Sequence, residues 1–137
     1  MQSSKPILLV EDDDVDVMTV QRAIKDLKIT NQLVNTANGE EALEYLKDEN
    51  NKKPCFILLD LNMPKMNGTE FLKIVKADEV LKKIPVIVLT TSRAEQDIVE
   101  SFRLGATGYI VKSIDYKKSA ETIMAIDLCL SSSELSD

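Results

Sequence analysis

The stretch Cys55-Phe56-Ile57-Leu58-Leu59-Asp60-Leu61-Asn62-Met63-Pro64 decides the fold of this 137-residue chain. Its first half is an uninterrupted apolar run, typical of a strand that is buried on both faces of a parallel sheet. Pro64 and the later Asn67-Gly68 interrupt regular structure, so Asp60 is predicted to lie where the strand meets a loop. In open α/β sheets, ligands bind outside the carboxyl ends of the strands. A carboxylate there can be a nucleophile, a metal ligand or a helix cap, and the stretch alone leaves all three roles open.

The composition indicates one globular domain. Hydrophobic residues make up 44% of the chain, and the net charge of -6 argues against binding nucleic acid through a basic surface. No apolar stretch has the length of a membrane span, and the first residues do not resemble a signal peptide. Cys55 and Cys129 are predicted to be small buried hydrophobes without a disulfide. We therefore expect a cytoplasmic protein that contacts neither membrane nor nucleic acid.

The chain contains no histidine. This excludes Ser-His-Asp and Cys-His catalysis and nearly every zinc site. Any general base must therefore be a carboxylate, a lysine or a tyrosine.

Five predicted strands alternate with five predicted helices along the chain. This alternation predicts a doubly wound, five-stranded parallel α/β sheet with helices on both faces. The whole chain, 1–137, is expected to be one domain with a core at about 6–130 and a polar tail at 131–137. The strands are predicted at 7–10, 32–36, 55–59, 85–89 and 109–111. The helices are predicted at about 17–27, 38–46, 67–77, 94–104 and 115–130.

Two of these elements carry more detailed predictions. The strand at 32–36 has the weaker pattern and is expected near an edge of the sheet. The helix at 94–104 is predicted to pack inward through Ile98 and Phe102 and to stop at Gly105.

Four predicted strands end in residues with chemical function. Glu11 and Asp12 follow the first strand, Asp60 the third, Thr90 the fourth and Lys112 the fifth. Carboxylates brought together there would repel one another by about 4 kcal/mol per pair at 4 Å and an effective dielectric constant near 20. A divalent cation such as Mg²⁺ would offset this repulsion. A carboxylate, a cation, a lysine and a hydroxyl together suit phosphoryl transfer, with the carboxylate as nucleophile.

Each of these features also has a purely structural interpretation. Asp60 can be a turn residue or cap, residues 11–14 can be a solvated acidic run before a helix, and Thr90 can be part of an N-cap. Tyr109 can be a half-buried packing residue. Their joint placement at successive strand ends favours the functional interpretation over these.

The motifs that carry the site are ILLVEDD at 7–13, LLDLNMPKMNG at 58–68, VIVLTTS at 86–92 and GYIVKS at 108–113. With them, residues 6–130 resemble the receiver domain of two-component response regulators. The resemblance implies a flavodoxin-like sheet in the order 2-1-3-4-5. The segments LKKIPVIVLTTS and YIVKS are also similar to small stand-alone regulators that are paired with bacterial phytochrome kinases.

The resemblance implies a phosphoacceptor and a metal site. Asp60 would accept a phosphoryl group from a sensor histidine kinase or a phosphotransfer protein. Asp12 would bind Mg²⁺ or Mn²⁺ directly and Glu11 through water, with Asp60 and the backbone carbonyl of Asn62 as further ligands. The protein would assist only its own phosphorylation and dephosphorylation, and would not otherwise be an enzyme.

The resemblance also implies a switch. Lys112 would pair with the phosphoryl group, Thr90 would move to hydrogen-bond it, and Tyr109 would follow Thr90 inward. One departure concerns Lys112-Ser113, where the family has Lys-Pro with a cis peptide bond. A cis bond before a residue other than proline costs about 3–4 kcal/mol, so the sequence leaves open whether this loop is trans or strained.

The family's output surface consists of the fourth helix, the fifth strand and the fifth helix. The predicted last helix carries a wide apolar arc formed by Ile123, Met124, Ile126, Leu128 and Leu130. Docking onto a sheet needs a narrower stripe, so we expect a downstream protein contact there, and a homodimer is one form it could take. A deeply buried helix is the alternative. Because the chain ends soon after Leu130, no attached output domain is expected.

Three other functions compete with a phosphorylation switch. A haloacid-dehalogenase-like phosphatase also uses an aspartyl nucleophile, but it needs a second aspartate where this chain has Asn62. A flavin carrier of similar topology needs a hydroxyl- and glycine-rich loop after the first strand, where this chain is acidic. A degenerate receiver acting as a binding scaffold would not need its site residues, yet all of them are present.

Overall fold

The computed structural model describes residues 5–26, 28–61, 67–90 and 94–111. Within these ranges the protein forms one parallel sheet in the order β2-β1-β3-β4-β5, which confirms the predicted flavodoxin-like topology. The strands are β1 (Ile7–Val10), β2 (Leu33–Thr36), β3 (Phe56–Leu59), β4 (Val86–Thr90) and β5 (Gly108–Val111). The weakly patterned strand β2 lies at an edge of the sheet, as its sequence predicts.

The helices lie between the strands in the predicted alternation. They are α1 (Asp14–Asp26), α2 (Gly39–Lys47), α3 (Gly68–Ala77) and α4 (Glu95–Arg103), with a short 3₁₀ helix (Leu81–Lys83) before β4. In the described part of the chain, no helix is long and apolar enough to cross a membrane. The predicted fifth helix at 115–130, the tail, Cys129 and the Lys112-Ser113 bond lie outside the described residues.

The central strands are buried on both faces because their side chains alternate between two cores. In β1, Leu8 and Val10 belong to the core that includes residues of α2 and α3, whereas Ile7 and Leu9 belong to the core that includes residues of α1. All four side chains are at most 1% exposed. Polar side chains therefore follow these strands only where they end.

The parallel register brings the strand ends together at one edge. Val10, the last residue of β1, pairs with Thr36 of β2 and with Leu59 of β3. The next residues along β1 and β3 are Glu11 and Asp60. Because the two strands end at the same level, these two acids leave the sheet side by side.

The structure corrects the predicted inward face of α4. Phe102 is 48% exposed and Ile98 is half-buried, whereas Ser101 is 3% exposed. A buried hydroxyl needs a hydrogen-bond partner, and the Ser101 Oγ donates to the carbonyl of Asp97 at 2.8 Å. The prediction that Phe102 packs inward is therefore wrong, because a small side chain with a local hydrogen bond occupies the inner face.

The predicted end of α4 is confirmed. Gly105 has φ +106°, a conformation that a side chain disfavours. Its N–H donates to the carbonyl of Phe102 at 3.0 Å, and that of Ala106 donates to the carbonyl of Ser101 at 3.0 Å. These two bonds form a Schellman cap, which turns the chain directly into β5.

Cys55 is less buried than its sequence suggests. It precedes β3 and has an intermediate exposure. The apolar run at 55–59 therefore contributes four buried strand residues, Phe56–Leu59, and Cys55 forms the entry to them.

Candidate functional site

Three carboxylates meet at the carboxyl edge of the sheet. Glu11, Asp12 and Asp60 each offer an oxygen, and these oxygens all lie within 4.8 Å of one another. Glu11 is 1% exposed and Asp60 is 6% exposed, whereas Asp12 faces solvent. Two nearly buried carboxylates beside a third require a positive charge to offset their repulsion. Their hard oxygen atoms are the donor set that Mg²⁺ and Mn²⁺ prefer, so the residues fit such an ion.

The backbone of the sheet holds the two buried acids in place. The N–H of Glu11 donates to the carbonyl of Thr36 at 2.9 Å, and the N–H of Asp60 donates to the carbonyl of Val10 at 3.1 Å. Each bond extends the strand ladder by one residue beyond the strand itself. The two carboxylates are therefore carried on rigid backbone and not on a free loop.

The acidic run at 11–14 divides into two pairs with different roles. The Asp13 Oδ1 accepts hydrogen bonds from the N–H groups of Val15 at 2.8 Å and Asp16 at 3.1 Å, which makes Asp13 the N-cap of α1. Asp14 lies in the first turn, where a negative charge suits the helix dipole. The structural interpretation of this run is thus correct for Asp13 and Asp14, whereas Glu11 and Asp12 belong to the acidic cluster.

The N-cap of α1 and the acidic cluster are also linked directly. The N–H of Asp13 donates to the Glu11 Oε2 at 3.3 Å, so the start of α1 helps to orient one carboxylate of the cluster. The sequence signal for the cap is an aspartate directly before the apolar residues of α1. Because three other acids stand beside it, the sequence does not show which of them is the cap.

Gly68 packs against the backbone of the nucleophile candidate. A Cβ atom at this position would lie 2.5 Å from the carbonyl oxygen of Asp60 and 2.6 Å from the Cα of Leu61. The Gly68 N–H donates to the Leu61 carbonyl at 3.0 Å, and Asn67 caps α3 by accepting from the N–H of Glu70 at 2.9 Å. The sequence marks Asn67-Gly68 as a break in regular structure and as the start of a helix, but it contains no signal for this close approach.

The two predicted switch residues lie on adjacent strands. Thr90 is the last residue of β4, next to β3, and is fully buried. Tyr109 lies on β5, pairs with Val88 and is half-buried against the α2–α3 core. The structure therefore brings Glu11, Asp12 and Asp60 together and places Thr90 at the end of the neighbouring strand. Asn62 and Lys112 lie outside the described residues.

Comparison with known proteins agrees with this geometry. The family model described as the response regulator receiver domain matches residues 7–124. The response regulator Rcp1 of Synechocystis sp. is 39% identical over 127 residues, covering 90% of this chain and 86% of the relative.

Two solved structures are similar over nearly the whole chain. The Mn²⁺-bound form of Rcp1 has a TM-score of 0.82 at 39% identity and covers 90% of this chain and 91% of its own. The phosphorylated cyanobacterial phytochrome response regulator RcpA has a TM-score of 0.83 at 38% identity and covers 91% and 92%. The similarity therefore extends over both the sheet and the acidic edge.

Proposed function

We propose a function for this chain on the basis of its family: the chain belongs to the response regulator receiver domain family. Asp60 accepts a phosphoryl group from a sensor histidine kinase or a phosphotransfer protein, in a reaction that requires Mg²⁺ or Mn²⁺. The observation that supports this most is the meeting of Glu11, Asp12 and Asp60 at one edge of the sheet. The similarity to a Mn²⁺-bound and to a phosphorylated regulator supports it further.

Asp60 is suited to act as the nucleophile. An oxygen of its carboxylate attacks phosphorus, a new O–P bond forms, and the donor's P–N bond breaks with its electron pair leaving on the donor nitrogen. A bound cation supplies positive charge that stabilises the phosphoryl oxygens. Because Asp60 is 6% exposed, few waters compete with the donor. In the proposal, Lys112 pairs with the phosphoryl group and the Thr90 hydroxyl hydrogen-bonds one of its oxygens.

The proposal includes a switched protein contact. Phosphorylation adds charge and acceptor oxygens, and Thr90 and Tyr109 pass the change to the surface of α4, β5 and the last helix. Val99 and Phe102 of α4 support this assignment. Their side chains are 57% and 48% exposed, so they can take part in a contact. The downstream partner binds there, and a homodimer is one form of the contact.

The remaining parts of the proposal follow from the same family. A kinase of the phytochrome type is the first donor to test, because the similar protein RcpA is a phytochrome response regulator. The whole chain, 1–137, forms one receiver domain, and it acts on no substrate apart from its own phosphoryl group. A cytoplasmic location is part of the same proposal.

The function can be tested by intact-mass measurement after incubation with a small phosphodonor. We expect one acid-labile phosphoryl group in the presence of Mg²⁺ and none when the metal is chelated, because the acidic cluster needs its cation. Peptide mapping should place the group on Asp60. If the protein takes up no phosphoryl group in the presence of Mg²⁺, either from this donor or from a kinase, the result would favour the alternative function of a degenerate receiver that acts as a binding scaffold.

We expect Mg²⁺ to raise the stability of the folded protein, and Asp12→Ala to remove most of that gain. An ion that binds only the native state stabilises it by RT ln(1 + [L]/Kd), about 2.7 kcal/mol at 100 times Kd. Thermal melts with and without millimolar Mg²⁺ measure this. Asp14→Ala is the matched control, since it removes the same charge two residues away and should retain the Mg²⁺ gain. Equal gains in wild type and Asp12→Ala would contradict the metal assignment.

A further inference from the structure

Asn35 lies close to the acidic cluster, although nothing in its sequence context marks it. It is on the edge strand β2, where it pairs with Leu9 of β1. Its side-chain Nδ2 lies 3.3 Å from the carbonyl oxygen of Leu9, 3.2 Å from that of Glu11 and 3.3 Å from that of Thr36. All three neighbours are acceptors, so the group that faces them must be the NH₂ and not the oxygen of the amide.

The amide compensates for the early end of β2. In a parallel ladder each strand residue bonds to backbone on the neighbouring strand, but β2 ends at Thr36 and the chain turns into α2 at Gly39, with Asn38 as the N-cap. No strand residue of β2 therefore lies beside the carbonyl of Glu11. The Asn35 side chain reaches past the end of its strand and donates to that carbonyl in place of a backbone N–H.

The backbone of Glu11 is thereby held on both sides of its Cα. Its N–H donates to the carbonyl of Thr36 at 2.9 Å, and its carbonyl accepts from Asn35 at 3.2 Å. The same amide lies 3.3 Å from the Thr36 oxygen that receives the Glu11 N–H. A backbone fixed at both peptide groups fixes the direction of the Glu11 Cα–Cβ bond, from which the carboxylate extends to Asp12 and Asp60.

We propose that Asn35 is a positioning residue for the divalent cation, acting through the backbone of Glu11. The inference rests on the proposed function, because it assumes that the acidic cluster binds Mg²⁺ or Mn²⁺. Without the amide, the Glu11 carbonyl loses its partner on the edge strand and the carboxylate samples more orientations. Binding of the ion must then order it again, and the affinity falls.

Asn35→Leu tests the proposal, because leucine has a similar size and no donor. We expect its Kd for Mn²⁺, measured by calorimetric titration, to rise about three- to tenfold, which corresponds to the loss of one or two modest hydrogen bonds. In the metal-free protein, hydrogen exchange of the Glu11 amide should become faster. Asn35→Val is a second variant that suits a strand and should behave in the same way.

Asn31→Leu is the matched control. The Asn31 Nδ2 also donates to a backbone carbonyl, that of Lys5 at 2.8 Å, but at the opposite end of β1 and away from the cluster. It should lower the melting temperature by a comparable amount and leave the Kd for Mn²⁺ unchanged. This separates positioning of the ion from general stability of the β1–β2 pair.

Each outcome has a definite consequence. A Kd in both Asn35 variants equal to that of wild type would overturn the role of Asn35 and leave the proposed function intact. An equal rise in Asn31→Leu would show that the effect is a general loosening of the sheet, and would also overturn it. If wild type itself bound no Mn²⁺, the proposed function would fail together with the inference.

Discussion

Asp60→Asn is expected to abolish phosphorylation and at the same time to stabilise the metal-free protein. An asparagine amide has no carboxylate oxygen to form the O–P bond, so no acid-labile group should appear in the intact mass. Neutralising one of three carboxylates whose oxygens lie within 4.8 Å also relieves repulsion. Because Asp12 is open to solvent, the gain should be smaller than a fully buried pair would give, about 1–2 kcal/mol in chemical denaturation at low salt without metal.

Asp48→Asn provides the control for this substitution. Asp48 is the C-cap residue of α2, is exposed, and accepts from the N–H of Asn50 at 2.9 Å through an oxygen that asparagine retains. It should keep full phosphorylation and show no stability gain of that size. If Asp60→Asn still gained a full equivalent of phosphoryl group under the same conditions, Asp60 would not be the acceptor. If its metal-free stability did not rise, the carboxylates would not be held close together in solution.

Gly68→Ala is expected to destabilise the protein by about 3 kcal/mol, even though alanine is the better helix former. The added Cβ would lie 2.5 Å from the Asp60 carbonyl oxygen and 2.6 Å from the Leu61 Cα, and both are backbone atoms that cannot rotate away. Either α3 or the end of β3 must shift. A fall of about 10 °C in melting temperature is the expected size for a domain of this length. The rate of phosphorylation should fall as well, since the shift displaces Asp60.

Gly108→Ala is the matched glycine control. Among the described residues, a Cβ there would meet the Ile87 side chain alone, at 3.6 and 3.7 Å, which is ordinary van der Waals contact. This variant should change the stability by less than about 1 kcal/mol and leave phosphorylation unchanged. Equal melting temperatures for Gly68→Ala and wild type would mean that α3 does not approach Asp60 as closely as the structure shows.

Several features of this protein could be predicted from sequence because their causes are local. A short apolar run bounded by turn residues, such as 55–59, is typical of an inner strand, so its neighbour Asp60 was expected at a strand end. Alternation of strands with helices indicated the parallel sheet, and the parallel sheet indicated that its carboxyl ends share an edge. Gly105 could be predicted as the end of α4 because the left-handed backbone there suits glycine.

The local pattern could not resolve residues whose role depends on a distant partner. Phe102 and Ser101 differ by one position on α4, and only packing against the sheet decided that the serine lies inside. Asp13 and Glu11 are both acids in one run. Asp13 is a cap because of the helix N–H groups it meets, and Glu11 belongs to the acidic cluster because of the strands beside it.

What the sequence determined by itself was therefore the order of the elements and the identity of the acids at the strand ends. The tertiary structure alone decided how those acids are supported: by Gly68 behind Asp60, and by the Asn35 amide, which reaches the Glu11 carbonyl 24 positions away along the chain. The two kinds of feature differ in how far apart along the chain the interacting residues lie. Strand and helix periods depend on near neighbours, whereas hydrogen bonds and close contacts between elements depend on where the folded sheet places residues that are far apart in sequence.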